Sequence, residues 1–184
     1  MEWGYPAYIK RVALSLRAEL ALSAFDPIDA HDACDCLGIP ILDMTSLEDA
    51  PSALAHFSGV ASSKFSAVTG FDGTSRFIVV NDTHHPYRQA SSIAHELGHA
   101  LLQHPPAHVL SGDGVRNFDG EIEEQAAFFS GVLLLPDEAC RMIMKRHMSL
   151  REASRLFGVS ESMVDYRLNK SGARTISKRQ VARN

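Results

Sequence analysis

The 184-residue sequence predicts an α+β fold, mostly helical, with a small β-sheet and a pair of C-terminal helices in a helix-turn-helix layout. Most segments repeat apolar residues every three or four positions, which is the helical period. One short region around Asp72-Gly73 changes to strand-like composition on both sides of a turn signal. Near the C-terminus, Gly158 separates two short helical patterns.

The elements follow in order. Residues 5–24 read as an amphipathic helix, with Ile9, Val12, Ala13, Leu16, Leu20 and Ala24 on one face and Lys10, Arg11, Arg17 and Glu19 between them. Pro27 breaks this helix. Asp29 caps a second one, Ala30–Leu37, which Gly38 ends. Ile39-Pro40-Ile41-Leu42 is a short strand, and 43–56 is loop with one helical turn near Leu47–Ala50. Phe65–Thr69 and Arg76–Val80 flank Asp72-Gly73 and form a hairpin near 65–80. Pro86 suits a first helical turn, so a helix runs from about Tyr87 to Gln103 and stops before Pro105-Pro106.

That helix carries His95-Glu96-Leu97-Gly98-His99 within the apolar set Ile93, Ala94, Leu97, Ala100, Leu101 and Leu102. Spacing of i and i+4 stacks the two imidazoles one turn apart on one face, where both can reach one tetrahedral metal. Glu96 stands beside the first ligand, at the edge of that face. It can reach a metal-bound water without being a ligand, which is the position of a general base.

After it, residues 106–120 hold Gly112, Gly114 and Gly120 with few apolar residues; they form a long loop placed where a lid over a cleft would be. Glu121–Pro136 is a helix, acidic at its start and apolar afterwards. Two histidines need a third protein ligand, and a carboxylate from a second helix is the usual supplement. If Ala126, Phe129 and Leu133 face the core, Glu123 lies a turn before them on the same side, with Glu124 and then Glu121 as alternatives. Residues 137–147, Ser149–Phe157 and Glu161–Asn169 are further helices, the last capped by Ser160, and Arg174–Asn184 is a frayed basic tail. The organisation is therefore 1–147 as the metal domain, 148–172 as the helix-turn-helix-like segment and 173–184 as a flexible tail.

Composition sets outer bounds. No apolar run approaches the ~20 residues of a membrane span. The first residues lack a secretory signal pattern. Cys34, Cys36 and Cys140 make an odd set with no disulfide framework, which points to a reducing, cytoplasmic setting. Net charge is −4, made of −12 over residues 1–140 and +8 over 141–184. Such asymmetry calls for internal complementarity or an anionic partner.

With both helices in place, the chain resembles the ImmA/IrrE family of zinc-dependent metallo-endopeptidases. The matching residues are Arg88, Ala94–Leu102 with His104, Glu123-x-Gln125-Ala126-x-x-Phe129 leading into Leu133-Leu134-Leu135-Pro136, the Leu156–Ser160 turn and Arg167-Leu168. The resemblance implies a zincin-like peptidase core with His95, His99 and Glu123 as zinc ligands, manganese or another divalent ion being the alternative, and Glu96 as catalytic base. It also implies a protein substrate, typically a helix-turn-helix repressor of stress or mobile-element genes. The chain departs from the family where Ala127 replaces an Asn/Asp four residues after the ligand, which removes a partner for a metal-bound histidine. His84, His85, Tyr87 and Arg88 are candidate donors to a developing oxyanion. His104, at i+5 from His99, points off the ligand face on a helical projection, which suits a residue that supports the ligands or the structure and is not itself a ligand. The competing reading is a catalytically weak or inactive metal-binding regulatory module that binds DNA or a partner protein through the basic C-terminal helices. Its second helix begins with Glu161 and has one arginine, Arg167, which is poor chemistry for phosphates.

Overall fold

The computed structural model describes residues 4–47, 65–105 and 120–181. Helix α1 (Tyr5–Glu19) buries Ile9, Ala13 and Leu16 on its apolar face. It ends earlier than its periodicity suggests, because Ala21 takes a left-handed backbone, φ 56°. Arg17 is 1 % exposed and lies on the buried side of this helix. Helix α2 (Ala30–Cys36) starts as expected, with Asp29 accepting from the His31 N–H at 2.8 Å.

Strand β1 (Ile41–Asp43) and a 3₁₀ turn (Met44–Leu47) follow, then β2 (Ala67–Asp72) and β3 (Ser75–Val80). The sheet order is β1-β3-β2. β2 and β3 form the expected antiparallel hairpin, closed by Gly73 in a left-handed backbone, φ 59°. β1 lies parallel to β3, with Ile41 opposite Ile78, a pairing that hairpin logic does not contain. Alternation along β3 sends Ile78 and Val80 into the main core and Val79 to the other face, against Met44 and Val68.

Helix α3 (Pro86–Leu101) packs on the sheet and crosses α4 (Gly120–Leu134), which is buried along most of its length. The crossing is close at Gly98, where an added Cβ would stand 3.1 Å from the Ala126 backbone and 3.2 Å from the Phe129 ring. This contact lets the histidine face of α3 meet the first turn of α4.

Beyond Pro136 come α5 (Asp137–Lys145), α6 (Leu150–Phe157), α7 (Glu161–Lys170) and α8 (Ala173–Val181). Ser149 and Glu152 form a capping box at α6, and Ser160 caps α7. Residues 173–181 form a helix where a frayed tail is expected. Ala173 is buried and α8 packs on α5 and α7, so tertiary contact overrides a polar sequence. Arg167 is 0 % exposed and donates to the Leu135 carbonyl at 2.9 Å and to Asp137 at 2.6 Å. The arginine of the candidate recognition helix therefore faces the protein interior.

The architecture is α+β and zincin-like, with eight helices among the described residues and a three-stranded sheet. No helix among these residues is long and apolar enough to cross a membrane. The expected lid over 106–120, the helical turn continuing to Ala50 and the last tail residues lie outside the described residues.

Candidate metal centre

His95 and His99 stand one turn apart on α3, and their rings meet edge to face with centroids 4.8 Å apart. Their Nε2 atoms are 3.0 Å from each other. Glu123, in the first turn of α4, places Oε2 3.1 Å from His95 Nε2 and Oε1 3.6 Å from His99 Nε2. Among the described residues, these three form a group whose donor atoms all lie within 4.8 Å. Ligands held at 2.0–2.1 Å in tetrahedral geometry stand about 3.3 Å from one another. The observed separations bracket that value, so the three side chains fit a zinc-sized cation. Side-chain exposures of 27 %, 19 % and 34 % leave the group open on one side.

The two alternatives for the third ligand point elsewhere. Glu124 pairs with Lys170 at 3.7 Å, and Glu121 lies 3.5 Å from the Gln125 amide.

Glu96 does not face water freely. Its Oε2 accepts from the Thr69 N–H at 2.9 Å and from the Thr69 hydroxyl at 2.7 Å. The edge of β2 that pairs with no strand among the described residues thus touches the carboxylate that the motif marks as a base. Arg76, on β3, is the cation whose charge reaches Glu96. Burial lowers its pKa from the ordinary arginine value, and the negative Glu96 acts in the opposite direction. Neither Thr69 nor Arg76 carries a signal in the sequence beyond strand composition.

His104 meets His99 without joining the three-donor group, as its place off the ligand face suggests. Helix α3 ends with Gln103 in a left-handed backbone, φ 56°. The Gln103 N–H bonds the Ala100 carbonyl and the His104 N–H bonds the His99 carbonyl, both across the helix end. This is the Schellman pattern, which folds the following residue back over the last turn. His104 Nδ1 therefore comes 3.0 Å from His99 Nδ1, and its Nε2 lies 2.9 Å from the Gln125 side-chain oxygen.

The four candidate oxyanion donors gather at the other end of α3. His85 caps the helix, Tyr87 packs on it, Arg88 donates to the Ser66 hydroxyl at 2.9 Å and His84 meets Asn81. At 1.5 Å rise per residue, Arg88 precedes His95 by about 10 Å along the axis. The structure does not bring them to the three ligands. His84 keeps its pKa below the ordinary histidine value through partial burial and the nearby Arg88.

The cysteines stay apart from this chemistry. Cys34 and Cys140 are buried and free, and burial pushes the Cys34 thiol up to about 12.

The family model for Peptidase_M78, described as the IrrE N-terminal-like domain, matches residues 34–169. A search of curated proteins gives no match.

Proposed function

Because the chain belongs to the IrrE N-terminal-like peptidase family, whose members hold a divalent metal, we propose that it is a zinc-dependent endopeptidase with its centre at His95, His99 and Glu123. The convergence of those three donor atoms next to Glu96 carries the reading. Three protein ligands from two helices match a catalytic zinc site, whereas structural sites close with four ligands, mostly cysteines. When bound, the ion supplies Lewis acidity and an acidified water at neutral pH.

The chain's own residues supply the rest. Glu96 takes the proton of the attacking water and delivers it to the leaving amine nitrogen. Thr69 holds one oxygen of Glu96 and so aims the other. The substrate is a specific regulatory protein, a helix-turn-helix repressor being the class the family resemblance suggests. The free, unbridged cysteines support a cytoplasmic site of action.

The test is metal content of the purified protein, together with cleavage of a co-expressed candidate repressor. One zinc per chain is expected in wild type, and loss of that zinc in His99→Ala and Glu123→Ala. Glu96→Gln is expected to keep zinc and abolish cleavage. Wild type that takes up no divalent metal would sink the peptidase reading, and salt-sensitive DNA binding by that same protein would favour the regulatory module.

A further inference from the structure

We infer that Gln125 and His104 are positioning residues that set the tautomer of His99, replacing the Asn/Asp partner that Ala127 cannot supply. This rests on His99 being a metal ligand. The inference concerns which ring nitrogen carries a proton, and the hydrogen-bond chain determines that.

The chain starts at Glu121. A carboxylate accepts only, so the Gln125 group facing it at 3.5 Å is the NH₂. The amide oxygen of Gln125 then faces His104 Nε2 at 2.9 Å. An amide oxygen also accepts only, so His104 Nε2 carries the proton and, in the neutral ring, His104 Nδ1 is bare. The 3.0 Å contact between the two Nδ1 atoms needs one proton. With both rings neutral, it comes from His99 Nδ1. His99 Nε2, the atom 3.0 Å from His95 Nε2 and 3.6 Å from Glu123, then carries the ring's lone pair, on the side where a cation would sit.

Burial makes the chain a fixed device. His104 and Gln125 are each 9 % exposed, so water does not readily replace either partner. Two separate features of the backbone bring them together. The left-handed turn at Gln103 returns His104 to the helix end, and the close Gly98–Ala126 crossing brings Gln125 alongside. Partners of metal-bound histidines that fix the ring in this way change metal affinity by roughly 10–100-fold when removed.

The experiment pairs zinc affinity, by competition with a chromophoric chelator, with ¹⁵N NMR of the histidine rings in metal-free protein. Wild type is expected to show His99 protonated at Nδ1 and His104 at Nε2. Gln125→Leu and His104→Ala are expected to bind one zinc with roughly 10–100-fold lower affinity and to release His99 into a mixture of tautomers. Wild-type affinity and an unchanged His99 tautomer in Gln125→Leu would overturn the inference. Absence of zinc binding in wild type would count against the metal reading instead, while the ring spectra of the metal-free protein would still decide the tautomer.

Discussion

At its C-terminal end, α4 hands its last carbonyls to two buried arginines. Arg17 from α1 reaches the Leu133 oxygen at 2.7 Å, and Arg167 from α7 reaches the Leu135 oxygen at 2.9 Å. At its N-terminal end, the same helix brings Glu123 against two histidine nitrogens. Both ends gather acceptor atoms. The first end is matched by cations that the chain itself provides; Arg17 is 1 % and Arg167 0 % exposed, although Arg17 Nε and Arg167 Nη1 find no hydrogen-bond partner among the described residues. The second has lone pairs facing lone pairs, a half-exposed arrangement that calls for a proton or a metal ion from outside. A polar cluster supplied with its own counter-charge is structural, and one that lacks it is the place to look for chemistry.

The structural end is the easier one to break. Arg167→Ala removes the donor to Leu135 and one of two partners of Asp137, the other being Lys10 at 2.6 Å. Removing one member of a buried pair costs about 3–5 kcal/mol, and the remaining lysine puts the expectation near the lower figure. Urea denaturation measures it. Arg141→Ala, which breaks an exposed pair with Glu138 at 2.7 Å, is expected to change stability by less than ~1 kcal/mol.

The close crossing of α3 and α4 at Gly98 is the next most sensitive point. Gly98→Ala would force a Cβ to within 3.1 Å of the Ala126 backbone, which cannot swing away as a side chain would. A loss of about 1–3 kcal/mol in denaturation is expected from overpacking, and weaker zinc binding from displacement of α3 relative to Glu123. Unchanged stability with wild-type metal affinity would show that the close approach is not needed to assemble the centre.

Thr69→Val sharpens the comparison on the chemical side. It keeps the branched shape on β2 and removes the hydroxyl that donates to Glu96 at 2.7 Å. Loss of a hydrogen bond to a charged group costs about 1.5 kcal/mol, so kcat/KM for cleavage is expected to fall about tenfold while zinc content stays at the wild-type level.

The smallest effect concerns His84. Asn81 Nδ2 donates to its Nε2 at 3.3 Å, and its Nδ1 is buried without a partner among the described residues. Its folded pKa is lowered by burial and by Arg88, so the unfolded chain binds the proton more readily. The contribution is complete above the unfolded value of about 6.5 and is lost as pH falls from there through the folded value. Unfolding midpoints between pH 8 and pH 5 are expected to decline less steeply in His84→Asn than in wild type.

How much of this was legible beforehand varies with the distance over which each contact acts. The position of His95, Glu96 and His99 on one face of α3 depends on i and i+4 geometry alone, and the α+β class depends on periodicities that any window of the chain displays. Glu123 was readable once the apolar stripe of α4 oriented that helix, because Ala126, Phe129 and Leu133 had to face inward. The elements where expectation and structure part are those where a local pattern met a distant neighbour. Polar residues 173–181 become helical against α5 and α7, and β1 finds a parallel partner in β3. Arg17, read between the apolar positions of its helix, and Arg167, read as the one arginine of the candidate recognition helix, are buried because carbonyls at the end of α4 match them.

The sequence by itself therefore determined the side-chain chemistry of the His95-Glu96-x-x-His99 motif and the helix that bears it, since side-chain type and helical spacing are properties of a single segment. Tertiary structure alone decided what surrounds that chemistry. Thr69 reaches Glu96 from another layer of the fold, and His104 reaches His99 because one left-handed residue reverses the end of α3. Gln125 completes the chain because two helices approach closely at a glycine. Each of these contacts depends on how whole elements pack, and no periodicity within one segment encodes that.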